Sequence, residues 1–298
     1  MNGVSLAEFD SAGALGHGPA VSGWLSEVRG GVEARLVAFF SEARARLWGI
    51  APESEELVQS IEALTMRGGK RLRPAVLFAA YRAVRAKGAI GDVIDACAGL
   101  ELLQTYLLIH DDWMDGDEER RGGPSVHAVL RDAHGDVQLG ASLAVLAGNL
   151  ACVWSWQLFG DDPDVRRVVR RMHEEVLIGQ QLDICASQDV SRMQQLKTGS
   201  YTLRGPMALG AALAGASEAQ AASLDAFATP LGEAFQMRDD LLGTFGDPKD
   251  TGKPAGNDLT AGKRTALIAA AERTGADLGA LRAVHGVADA TQAAVADA

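Results

Sequence analysis

From residue 22 to residue 273 the chain consists of long stretches rich in Ala, Leu, Glu and Arg, separated by short marks of Gly, Pro, Asp and Ser. Runs of β-branched residues in strict alternation are almost absent, so a sheet of any size has no material to form from. The pattern predicts helices near 22–48, 53–66, 72–87, 91–115, 124–132, 137–159, 164–185, 189–198, 201–214, 218–242 and 263–273. Breakers stand at Arg67-Gly68-Gly69, Lys87-Gly88, Arg121-Gly122-Gly123-Pro124, Gly160-Asp161-Asp162-Pro163 and Gly215-Ala216-Ser217. Residues 246–258, GDPKDTGKPAGND, read as a polar loop, and the Gly/Ala/Ser-rich residues 1–20 as a flexible N-terminus. No composition shift and no fixed-period repeat divides the remainder. The expectation is an all-α fold, with 21–298 as one domain.

Two of these helices run from an apolar stretch straight into aspartates. In LLIHDDWMD, residues 107–115, Asp111 and Asp115 are four apart and share a helix face, with Asp112 beside them. Three such carboxylates on an inward-pointing helix repel one another unless a counter-charge is present, and hard divalent cations are the natural one. The alternative is a solvated acidic helix end. A second apolar run, FQMRDDLL at 235–242, ends in Asp239 and Asp240, but Gly243 stands at the matching fourth position. Facing each other across a bundle, the two clusters could hold a few Mg²⁺ ions whose shells are completed by water and phosphate oxygens.

The basic residues stand where phosphates would. Gly68-Gly69 precedes Lys70, Arg71 and Arg73 at a predicted helix start, where backbone amides, helix dipole and side chains all favour an anion. The GxxxxGK[ST] spacing of a P-loop is absent. Arg120 and Arg121 follow the first acidic cluster, Lys197-Thr198 closes a helix, and Lys253, Lys263 and Arg264 lie in or just after the polar loop. Each alone is an ordinary surface charge; their recurrence beside the acidic clusters is not. With 28 basic and 39 acidic side chains the net charge is −11, which argues against nucleic acid as a partner but not against a phosphorylated ligand.

Cys97, Cys152 and Cys185 are too scattered for a disulfide framework or a zinc site, and suit a reducing compartment. The first basic side chain is Arg29, so no secretory signal is expected. Residues 139–156 are apolar but rich in Ala and Gly and interrupted by Asn149, short of a convincing membrane span. A cytoplasmic protein without an integral membrane segment is expected. Trp154 and Trp156 read as core residues; Trp113 lies inside the acidic motif. His110 and His127 have no zinc-site spacing.

Taken in order, GGKRLRP at 68–74, LELLQTYLLIHDDWMD at 100–115, RRGGPSVH at 120–127, GQQLDI at 179–184, LKTGSYT at 196–202 and the long motif at 235–265 resemble the trans-polyprenyl diphosphate synthases. These are short-chain, head-to-tail prenyltransferases of the class I isoprenoid synthase fold, a helical bundle with a central apolar cavity. The resemblance implies that Asp111 and Asp115 chelate two Mg²⁺, supported by Asp112, and that Asp239 holds a third; Mn²⁺ could substitute. It implies that Lys70, Arg73, Gln104 and Arg121 grip isopentenyl diphosphate. Arg120, Lys197, Thr198, Gln236, Lys253 and Lys263 would meet the allylic diphosphate. It also implies a homodimer, and no side-chain general base.

Tyr106 and Leu107, five and four residues before Asp111, stand where the family sets the floor of the chain-length cavity. A bulky aromatic there resembles enzymes with short products, so C20 geranylgeranyl diphosphate is favoured and C15 farnesyl diphosphate comes next. Two features depart from the family. Gly243 replaces the last acid of the second motif, and the chain ends 34 residues beyond Arg264, which suggests a truncated C-terminus. A class I terpene cyclase is the first alternative, but Asn257–Lys263 does not supply its NDxxSxxxE-type second site. A non-catalytic subunit of a heteromeric synthase is the second, and only Gly243 points to it.

Overall fold

The computed structural model describes residues 19–246, 256–260, 262, 265–274, 278–287 and 289–297. The reading of 1–18 as flexible, and most of the expected polar loop, fall outside them. The described residues bear out an all-α architecture. Helix α1 is Pro19–Trp48, α2 Glu55–Met66, α3 Leu72–Val84, α4 Ile94–Asp115, α5 Val126–His134, α6 Val137–Phe159 and α7 Pro163–Ile184. There follow α8 (Val190–Gln194), a π-helical segment Gln195–Arg204, α9 (Gly205–Leu213) and α10 (Glu218–Phe245). Four short helices complete the order: α11 Asn257–Thr260, α12 Ala266–Thr274, α13 Gly279–Val284 and α14 Gln292–Asp297.

Local chemistry explains most of the starts. Asp136 accepts from the Leu139 amide at 2.9 Å to cap α6, and Asp162 caps α7 with Pro163 in the first turn. Ser217 and Gln220 form a capping box on α10. Helix α4 is the axis, buried on most faces from Ala96 to Ile109, because α1, α2, α3, α5 and α6 all pack on it. Val28, Val32, Leu36, Phe39, Phe40 and Ala43 give α1 one continuous buried face. Phe39 and Phe40 meet Trp154 edge-on, at 5.5 and 6.1 Å, and join α1 to α6.

The α4–α6 contact depends on small residues. A Cβ on Gly148 would come within 2.2 Å of the His110 imidazole, so only glycine lets the helices close at that level. By length and composition alone α6 passes as a membrane span, as the core helix of a bundle also can. Here it packs as a bundle helix, burying Ala144, Ala147, Ala151 and Trp154, with Val137, Leu146 and Val153 exposed.

Two further expectations need correction. The separate helices at 189–198 and 201–214 are one continuous winding, because the chain widens into a π segment instead of breaking at Gly199. And a small antiparallel pair, Glu119–Arg120 with Gly123–Pro124, stands where only a breaker was read. Its tight turn has Arg121 at φ 54° and Gly122 at φ 70°, both left-handed, as primed two-residue turns require.

Candidate active site

The C-terminal turn of α4 carries Asp111, Asp112 and Asp115, at the end where the helix dipole is already negative. Such a turn needs cations, and two arrive from distant segments. Arg120, from the small hairpin, donates its Nε to Asp112 at 2.6 Å and reaches Asp117 at 3.0 Å and Asp111 at 3.9 Å. Lys197, from the π segment, donates to Asp111 at 3.1 Å and to Asp183 of α7 at 2.5 Å. Asp112 has no exposed side-chain surface. Burial pushes its pKa up to about 6 although Arg120 pulls the other way. Burial also opposes the Lys197 ammonium, but Asp111 and Asp183 outweigh it and its pKa stays above the ordinary lysine value. Asp115 is exposed beside them.

A second group of cations lies one to three turns down α4. Arg73 donates to Gln104 Oε1 at 2.6 Å and to Thr202 Oγ1 at 3.0 Å, and lies 4.3 Å from the centre of the Tyr201 ring. Arg121 makes only long bonds, both 3.4 Å, to the carbonyls of Leu64 and Gly68. Burial first, then Arg71, Arg73 and Arg120 around it, hold its pKa below the usual arginine value despite Glu101. Guanidiniums this close to one another repel unless a negative charge stands between them. Arg71 is not available to a ligand: it is buried with Glu101 of α4 in an ion pair and also bonds the Thr65 carbonyl at 3.0 Å. Of the basic run, Arg73 thus faces Gln104 and Thr202, Arg71 is held by Glu101, and Lys70 is exposed at the edge.

From Asp111 and Lys197 a cavity of about 60 Å³ descends between α4 and α7 to Tyr106, walled by Leu107, Val176 and Leu177. It is far smaller than the roughly 300 Å³ or more of a typical small-molecule site, so a long tail must turn aside lining side chains. A larger cavity, about 450 Å³, lies between the π segment, α10 and α12, beside Gln194 and Gln236. Next to it, Asp240 is buried and accepts from Gln194 at 2.8 Å and Gln236 at 2.7 Å, whereas Asp239 is exposed. Thr198 is half-buried on the π segment; Lys253 and Lys263 lie outside the described residues.

Among the described residues no three His, Cys, Asp or Glu side chains converge as a metal site, so Asp111, Asp115 and Asp239 are not gathered as a ligand set. The donors nonetheless suit a hard divalent ion: they are carboxylates, and the buried Oδ2 of Asp112 has no hydrogen-bond partner.

A family model described as polyprenyl synthetase matches residues 54–298. The chain belongs to that family. A short chain isoprenyl diphosphate synthase of Methanocaldococcus jannaschii is 32% identical over 234 residues, 74% of this chain and 68% of the relative. A farnesyl diphosphate synthase of Geobacillus stearothermophilus is 34% identical over 266 residues, 83% of each. A crystal structure of geranylgeranyl pyrophosphate synthase from Corynebacterium glutamicum, complexed with isoprenyl diphosphate and magnesium, superposes with a TM-score of 0.82 at 33% identity. It covers 92% of this chain and 85% of its own. The polyprenyl synthetase is thus a transferase with the class I isoprenoid synthase fold.

Several residues of this synthase escaped the sequence reading. Asp183 stands in GQQLDI near the end of α7, after the short apolar run Val176–Ile178, which is the signal the sequence offers for it. Glu101 is an acid inside an otherwise apolar stretch and pairs with Arg71. Thr202 closes the quoted LKTGSYT without a role of its own there, and nothing local marks Gln194.

His173 of α7 is 7% exposed, and burial lowers its pKa although its Nδ1 sits 2.9 Å from the Val169 carbonyl. Facing it are the Cys152 thiol and the rings of Trp156 and Tyr106. Because the folded state takes up this proton less readily than the unfolded chain, its contribution to stability is complete above the unfolded value near 6.5 and is lost as pH falls below it. Urea unfolding between pH 7.5 and 5.5 should show a downward slope that is shallower in His173→Gln.

Proposed function

We propose that this synthase condenses isopentenyl diphosphate with an allylic diphosphate, head to tail and with Mg²⁺, to give a trans prenyl diphosphate of C20, with C15 the next candidate. One observation carries the reading. Arg120 and Lys197 bond the aspartates at the end of α4, Arg73 stands farther down that helix at Gln104 with Arg121 near it, and an apolar cavity leads away from Asp111 and Lys197. Two cation groups suit two diphosphates, and the cavity suits a hydrocarbon tail. A cyclase needs only one diphosphate, so the Arg73 cradle favours the condensing enzyme.

In this reading Asp111 and Asp115, with Asp239 from α10, hold the Mg²⁺, and Asp112 fixes Arg120. The metal would supply Lewis-acid stabilisation of the leaving diphosphate. Arg120, Lys197, Thr198 and Gln236 face the allylic diphosphate, together with Lys253 and Lys263. As its C–O bond breaks, both electrons go to the diphosphate, and cations preset in a partly buried site stabilise that charge better than water does. Lys70, Arg73, Gln104 and Arg121 hold isopentenyl diphosphate so that its double bond attacks the allylic carbon. The new C–C bond leaves a tertiary cation, which loses a proton to the departed diphosphate and becomes a trans alkene.

The test is incubation with Mg²⁺, isopentenyl diphosphate and, separately, C5, C10 and C15 allylic primers, with products sized by chromatography. Chain-elongated diphosphates support the reading. A cyclic hydrocarbon with diphosphate release gives the cyclase instead, and binding without turnover gives the non-catalytic subunit. Replacing Tyr106 by Ala should lengthen the product if its ring, which lines the cavity, is the floor; an unchanged length removes Tyr106 from that role.

A further inference from the structure

Arg67 directly follows α2, and its half-buried side chain crosses to the small hairpin that carries Arg120 and Arg121. Its Nη1 donates to the Pro124 carbonyl at 2.7 Å and to the Arg120 carbonyl at 3.1 Å, one on each strand. The hairpin needs such a tie. It has two residues per strand, Pro124 has no N–H to give the ladder, and a two-stranded ribbon is marginal on its own. At its foot the backbone fastens it: the Asp117 amide donates to the Asp112 carbonyl at 2.8 Å and the Ser125 amide to the Glu118 carbonyl at 2.9 Å. Arg67 fastens it next to the turn.

The seat is shaped for that guanidinium. A Cβ on Gly123 would lie 2.8 Å from Nη1 and 2.9 Å from Cζ of Arg67, so only glycine leaves the head group room. The backbone at Gly123 is not left-handed, so the contact and not the turn calls for glycine. The tie also runs the other way. Arg121, at the turn, reaches back to the carbonyls of Leu64 and Gly68, both at 3.4 Å. Bonds of that length hold a guanidinium weakly, whereas Arg120 keeps Asp112 at 2.6 Å and Asp117 at 3.0 Å. The bearing of Arg121 therefore depends on the backbone that Arg67 holds, and that of Arg120 depends on it much less.

We propose that Arg67 is a positioning residue for isopentenyl diphosphate: by clamping the hairpin it sets the direction of Arg121, without touching the substrate itself. The proposal rests on the condensation reading above, in which Arg121 grips that diphosphate. It separates the two substrates, because the allylic side relies on Arg120 and on the aspartates that already hold it.

Steady-state kinetics with Mg²⁺, isopentenyl diphosphate and the C15 primer decide it for the unchanged chain, Arg67→Met, Gly123→Ala and the double variant. Arg67→Met removes both bonds, while Gly123→Ala keeps every charge and only pushes the guanidinium away. Each should raise the KM for isopentenyl diphosphate about tenfold, the scale of one hydrogen bond to a charged group. The KM for the primer and kcat should stay within about threefold, as when binding is lost equally from ground and transition states. The double variant should match the worse single one, because the alanine acts only through Arg67. An isopentenyl KM that stays within about twofold in either single variant overturns the proposal. So does an equal rise in both KM values, the mark of a merely loosened fold, and so does a double variant in which the two effects multiply. An unchanged chain that elongates nothing overturns the condensation reading, and this inference with it. Should circular dichroism show Arg67→Met unfolded, Gly123→Ala carries the same expectation and the same refutation.

Discussion

Asp111→Asn is expected to lower turnover by about 10³-fold, a loss of the size seen when a group stabilising developing charge is removed. The reasoning is local. Asn keeps the volume and one acceptor oxygen toward Lys197 Nζ, now 3.1 Å away, but removes a negative charge from the proposed Mg²⁺ donor set. Lys197 keeps Asp183 at 2.5 Å, so the half-buried ammonium is not stranded and the fold should survive. Thermal melting within a few degrees of the unchanged protein, together with the collapse in rate, is the expected pair of results. A merely solvated acidic helix end would behave otherwise: turnover within tenfold of the original would return Asp111 to that description.

The largest stability effect is expected at a pair with no proposed chemical role. Arg71 and Glu101 have side chains 1% and 3% exposed and meet across α3 and α4. Removing Glu101 leaves Arg71 only the longer contact to Glu33 at 3.7 Å, and removing Arg71 leaves Glu101 only the field of Arg121; breaking a buried pair in this way costs about 3–5 kcal/mol. Urea unfolding of Arg71→Met and of Glu101→Leu should each show a loss of that order. The double variant should lose less than either single one, because an apolar pair carries no stranded charge. The Thr65 carbonyl, now 3.0 Å from Arg71 Nη2, keeps the double variant from full recovery. Single losses under about 1 kcal/mol, the range of a surface pair, would show that water reaches the site.

The same pair shows where sequence reasoning stops. Lys70, Arg71 and Arg73 are equivalent in composition, and nothing local says that the first faces solvent, the second is buried and the third lines the site. The difference is made by Glu101 and Gln104, about thirty positions away. Asp239 and Asp240 pose the same problem, since it is distant or neighbouring partners such as Gln194 and Gln236 that mark the second as the buried one. Helix positions were far more legible, because their signals are neighbours in the chain: Asp136, Asp162-Pro163 and Ser217 announce α6, α7 and α10. Gly199 misled for a physical reason. Its intrinsic helix penalty is about 1 kcal/mol, and tertiary packing of the π segment against α7 and α10 overrides it. The association of Asp111, Arg120 and Lys197 was legible only as a set of types near one another. That Lys197 spans 86 positions to bond Asp111 is a property of the bundle.

The wide turn at Gln195–Arg204 has a consequence for spacing. In an ordinary α-helix, residues five apart point about 140° away from each other. In a winding closed by i→i+5 bonds that divergence shrinks to about 50°, so the two point to one side of the helix. Lys197 and Thr202 are five apart, and one serves Asp111 while the other serves Arg73. The extra residue therefore acts as a phase shift, bringing onto a common side two side chains that regular winding would divide. A chain shortened by one residue there could keep its helix, its hydrophobic pattern and both side chains, and still lose their shared bearing.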